Sequence, residues 1–155
     1  MKKQEIISLV NAGVLHCTTH SLTADGALAV WKFKQWLRGA YESLQSDEQS
    51  LLQECGIDDV SSFEQRHQSL LQLQQRSADE QLELDAMNAS VSKFAQMQQS
   101  MLYEQVAVPT QPTLPFAQWK ALQDENGSVS IGDSTHDIFS ADAEQVLHGI
   151  LWDER

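Results

Sequence analysis

Ala27-Leu28-Ala29-Val30-Trp31-Lys32-Phe33-Lys34-Gln35-Trp36-Leu37-Arg38-Gly39-Ala40-Tyr41-Glu42-Ser43-Leu44-Gln45-Ser46-Asp47-Glu48-Gln49-Ser50-Leu51-Leu52-Gln53-Glu54-Cys55 contains one helix-weakening residue, Gly39. Apolar side chains recur at Val30, Phe33, Leu37, Ala40, Leu44, Leu51 and Cys55, which marks one buried face of a long helix. Thr23 or Asp25 stands where a cap is needed, and Gly56 followed by Ile57 supplies a left-handed stop. At about 1.5 Å per residue such a helix exceeds roughly 40 Å.

Toward the amino terminus, residues 3–12 predict a short helix closed at Gly13, and Thr18-Thr19-His20-Ser21 a polar connection. Toward the carboxyl terminus, the Asp58-Asp59 turn leads into a helical region that runs from Ser61 or Ser62 to about Tyr103 without Gly or Pro. Its middle, Gln72 to Ser77, is poor in apolar residues, and Ser77-Ala78-Asp79-Glu80 has capping-box spacing, so one helix or two both fit. Periodicity resumes at Leu84, Met87, Val91, Phe94, Met97 and Met101, which predicts antiparallel packing against 27–55.

Pro109, Pro112 and Pro115 make 106–115 extended, with an edge strand expected at 106–108. A short helix over 116–122 follows, and 124–133 reads as turn, strand and turn, a small hairpin partnered with 106–108. Ser140 caps a last helix over 141–151 with Val146, Leu147, Ile150 and Leu151 inward. The fold class is therefore mostly α: an antiparallel long-helix hairpin or small helical bundle with a short extended or β segment before a C-terminal helix. One domain, 1–155, is expected, with 1–105 as the hairpin region and 106–155 as extended segment, insertion and last helix.

Composition narrows the function classes. Twenty-two acidic against ten basic side chains give a net charge of -12, which disfavours nucleic acid and anionic lipid as partners. Hydrophobic content of 41% and mean hydropathy of -0.37, without a long apolar run, predict a folded chain that does not span a membrane. The start, Met1 to Ile7, has no signal-like apolar stretch, so a cytoplasmic setting is expected, with Cys17 and Cys55 reduced. By segment, 1–60 and 61–105 each carry -3 and 106–155 carries -6.

No G-x-S-x-G, P-loop, G-x-G-x-x-G or H-E-x-x-H pattern occurs, and no enzyme activity or cofactor is expected. His16-Cys17-Thr18-Thr19-His20 brings metal-ligand types together, but without a second pair at finger-like spacing the reading is a helix connection with no metal. In Trp31 to Arg38, Phe33 and Leu37 point to the core while Lys34, Arg38 and Glu42 form an i, i+4 row. Trp31 and Trp36 then serve as packing or as anchors for a protein partner. Nineteen glutamines, nine of them between Phe63 and Leu102, suit either solvated helix surface or lateral contacts in a homo-oligomer or larger assembly.

The layout resembles a group of small helical proteins of tailed phages and prophages. The matching residues are Ala29-Val30-Trp31-Lys32-Phe33 leading to Leu44, Ser50-Leu51-Leu52-Gln53-Glu54-Cys55-Gly56, the run Ser92 to Val106, and Phe139-Ser140-Ala141-Asp142-Ala143-Glu144-Gln145-Val146-Leu147. The chain departs from that pattern in its longer 63–83 and 124–137 segments. The resemblance implies a phage or prophage protein that acts through protein contacts, in virion assembly or as an accessory factor, with a phage structural or host protein as partner. Trp31, Trp36, Met97, Met101 and Tyr103 are the expected contact residues. The competing class is a host-directed regulatory or inhibitory module whose acidic residues, above all Asp124, Glu125, Asp133 and Asp137, fill a partner's basic groove. A small hydrolase or metal protein is the third class.

Overall fold

The computed structural model describes residues 1–127, 129–131 and 134–153. Most of these lie in helices: α1 Lys3–Asn11, α2 Ala24–Glu54, α3 Val60–Gln72, α4 Ala78–Leu102, α5 Phe116–Glu125 and α6 Ala141–Leu147. Four short strands accompany them: β1 Leu114–Pro115, β2 Val129–Ile131, β3 Ser134–His136 and β4 Trp152–Asp153. The mostly helical class expected from periodicity is what the chain adopts. No described helix is long and apolar enough to cross a membrane. The chain divides into two compact units, one of residues 1–43 with 104–155 and one of residues 44–103.

In the first unit, Thr23 caps α2: its hydroxyl accepts the Gly26 N–H at 3.3 Å and its carbonyl the Ala27 N–H at 2.8 Å. Val30, Phe33 and Leu37 then enter a core with Ile6 and Leu9 of α1, Trp119 and Leu122 of α5, and Leu147 of α6. Trp119 stacks on Trp152 with ring centroids 5.4 Å apart and meets Phe139 edge-on at 4.9 Å. Such ring pairs add about 0.5–1.5 kcal/mol each beyond the area they bury. Residues 1–43, expected to group with the hairpin region, thus share their core with the C-terminal third.

Four local expectations are corrected in this unit. Among the described residues, 106–108 do not pair with the small hairpin: Val106 and Met1 exchange hydrogen bonds at 2.8 and 3.3 Å, and the Ala107 carbonyl takes the Trp36 indole N–H. β2 and β3 pair antiparallel with each other, and the strand in the proline stretch is β1, parallel to β4. Buried Leu114 places that strand, its N–H donating to Leu151 O at 2.7 Å, while Pro115 has no N–H to extend the ladder. The last helix stops at Leu147 rather than 151: Gly149, at φ +74°, turns the chain so that Leu151 and Trp152 return to the core. α5, in turn, continues to Glu125.

In the second unit, α2 ends as Gly56 and Ile57 predict. The Gly56 N–H donates to Gln53 O and the Ile57 N–H to Leu52 O, and Gly56 sits at φ +76°. Residues 60–102 form two helices. Asp59 caps α3 through the Ser62 N–H, and Ser77 and Glu80 form the reciprocal capping box of α4. Arg76 closes the gap by donating to the terminal carbonyls of α3, Leu70 and Leu71. Leu70, Leu84 and Met87 form the interior, with Phe63 packed against it. The end of α2 runs antiparallel to α4, with Gln98 donating to Glu48 and Lys93 to the Glu54 carbonyl. The predicted hairpin therefore holds for residues 44–54 of α2.

Candidate interaction surface

Of the two tryptophans expected as anchors, Trp31 is 56% exposed on α2. Trp36 is half-buried, its indole N–H on the Ala107 carbonyl at 3.2 Å and its ring 5.6 Å from Phe33. Its side chain is committed within its own unit. Lys34 donates to the Cys17 carbonyl at 2.8 Å, so the surface row with Arg38 and Glu42 loses one member. Cys17 is buried in the core, which pushes its thiol pKa up against the opposing charge of Lys34. His20 lies at the surface with Nδ1 3.0 Å from Glu125 Oε1.

The acidic residues expected to meet a partner separate in the structure. Glu125, at the end of α5, receives the hydroxyls of Thr18 and Ser21 and the backbone N–H groups of His20 and Ser21 at 2.5–3.0 Å. These donors, the Ser21 hydroxyl foremost, hold its carboxyl far below the usual carboxylate range. Beside it Asn126, 4% exposed, accepts from the Thr18 N–H and donates to the carbonyls of Thr18 and Leu122. Glu125 and Asn126 are thus a clasp on the Thr18–Ser21 connection. Asp124 is exposed and ion-paired with Lys120 at 3.1 Å. Asp137 is exposed, and Asp133 lies outside the described residues.

In residues 44–103, Met101 is 5% exposed, its side chain buried. Met97 is half-buried, its sulfur 3.9 Å from the Cys55 thiol. Tyr103 is 55% exposed. Of the contacts expected at Met97, Met101 and Tyr103, only Tyr103, which follows the end of α4, offers a large surface. A cleft of about 510 Å³ opens where the end of α2 meets α3 and α4, floored by Leu52, Ile57, Val60, Phe63, Val91 and Phe94. Val60 and Val91 are each 44% exposed at its mouth. The sequence places Val91 and Phe94 in the hairpin seam, and Val60 and Phe63 are not among the expected contact residues. Their i, i+3 spacing on α3 was the available signal.

The cleft carries no nucleophile on its floor. His67, at its edge, stacks on Phe63 and has Nε2 2.8 Å from the Asn88 side-chain oxygen. This side-chain set can bury apolar surface and accept basic groups. Comparison with protein-family models, curated proteins and solved structures yields no match for the chain.

Proposed function

We propose that the chain is a non-enzymatic protein of a tailed phage or prophage that works through contacts with other proteins, in virion assembly or as an accessory factor in the host cytoplasm. The observation that carries the contact reading is the distribution of exposed apolar side chains. Among the described residues, Val60, Leu71, Leu73, Leu82, Val91 and Tyr103, six of the nine exposed large apolar side chains, lie within residues 44–103. Val60 and Val91 meet at the mouth of one cleft, and exposed apolar groups that converge in this way favour an interaction surface. The phage setting is carried by the resemblance in residue order alone.

The competing acidic reading retains Asp124 and Asp137, but Glu125 is taken up by the clasp. Tagged full-length chain, captured from an induced lysogen that encodes it, tests both readings. Retention of a phage structural or accessory protein through a wash at high salt is the expected result. A complex that dissolves in salt and contains a host protein supports the acidic module instead. Turnover of a generic ester or phosphate by the purified chain defeats both.

A further inference from the structure

We propose that the cleft between the end of α2, α3 and α4 receives an amphipathic helix whose apolar stripe is flanked by lysine or arginine. The inference rests on the protein-contact reading above and names the chemistry of the partner. The floor is apolar and is bounded by helices, the setting in which a helix lays down one face through anchors at i, i+3, i+4 and i+7.

Charge selects the flanks. Residues 44–103 hold ten acidic against three basic side chains, a net of -7 out of -12. All three cations have partners inside the unit. Arg66 makes a two-point pair with Glu83, Arg76 holds the carbonyls of Leu70 and Leu71, and Lys93 reaches Glu54. At the cleft, Glu64 is a lining residue, and exposed Asp58 and Asp59 lie between the lining residues Ile57 and Val60. The Ser62 N–H, donating to Asp59 at the start of α3, lowers that carboxyl's pKa. A second copy would bring the same excess of negative charge to the contact. An acidic helix would meet the excess of like charge, whereas a basic one meets the apolar floor and the Glu64 carboxylate together.

The probe is a synthetic peptide of about 18 residues, leucine at i, i+3, i+4 and i+7 and lysine elsewhere, titrated into the full chain. A peptide of the same composition with scrambled leucines and a leucine/glutamate version serve as controls. The leucine/lysine peptide is expected to bind, gain helicity and weaken as salt rises. Val91→Glu should reduce its affinity at least about tenfold, equal to about 1.4 kcal/mol. That direction is diagnostic, because the substitution adds negative charge and would strengthen a purely ionic contact. Val91→Leu should retain binding, and circular dichroism of both variants checks that the fold is intact.

Equal binding of the scrambled peptide, unchanged binding by Val91→Glu, or no binding to the native chain overturns the inference. So does light scattering that shows a dimer dissolved by Val91→Glu, since the occupant would then be a second copy. If these arms fail while the tagged chain still retains its partner, the cleft inference falls alone; if capture fails as well, the protein-contact reading falls with it.

Discussion

At the scale of single residues, two polar side chains of the first unit, Glu125 and Asn126, carry several hydrogen bonds each. Glu125 accepts four hydrogen bonds from the 18–21 connection, and its folded pKa is depressed. A depressed carboxylate contributes stability above its ordinary pKa and loses that contribution as acid protonates it. Glu125→Gln should therefore lower the melting temperature at pH 7, and the gap from the native chain should narrow as pH falls below the ordinary carboxylate range. Thermal melts between pH 7 and pH 3 measure it; a gap that widens in acid contradicts the clasp. Asn126→Ala removes acceptor and donors together and leaves the Thr18 N–H without its 2.6 Å partner. A loss of about 1–3 kcal/mol is expected in denaturant unfolding at neutral pH. Neither residue was legible as a clasp in the sequence. Its partners lie more than 100 positions away, and Glu125 read as one more surface acid.

Elements, by contrast, were legible wherever one short stretch of chain sets its own backbone geometry. Thr23, Gly56 with Ile57, Ser77 with Glu80, and Ser140 all act at the helix ends their sequence positions predict. The two chemically similar glycines of the α2 region make opposite predictions. Gly39 lies inside α2 with nothing within 4 Å of an added Cβ, so Gly39→Ala should stabilise by about 0.5–1 kcal/mol through helix propensity. Gly56 also has space, but its φ of +76° strains any L side chain. Gly56→Ala should destabilise by about 1–2 kcal/mol. Urea unfolding of the two variants, compared at constant slope, separates the signs. What local chemistry did not reveal is partner choice. The proline stretch pairs with Trp152 and Asp153 because Leu114 is buried beside them, a fact of tertiary packing that period-two alternation cannot announce.

For the whole molecule, α2 supplies residues 24–43 to one compact unit and 44–54 to the other, which its unbroken periodicity conceals. Charge changes meaning with that division. By sequence thirds, half of the excess lies in 106–155; by compact unit, -7 lies in 44–103 and -5 in the rest. The interiors differ as well. Among the described residues, seventeen buried ones form one cluster in the first unit, whereas Leu70, Leu84 and Met87 form that of the second. Less buried apolar area gives residues 44–103 less to resist local opening. Native-state hydrogen exchange should then show lower opening free energies over 60–102 than over 29–37, with protection along α2 falling after residue 43. Leu84→Ala, expected to lose about 2–5 kcal/mol from a buried site, should accelerate exchange across 60–102 and leave 29–37 protected. Phe33→Ala should do the reverse, exposing the first unit's amides ahead of those in α3 and α4. Uniform acceleration by either variant would mean that the 155 residues open together, and the contact division at residues 43 and 104 would then have no energetic counterpart.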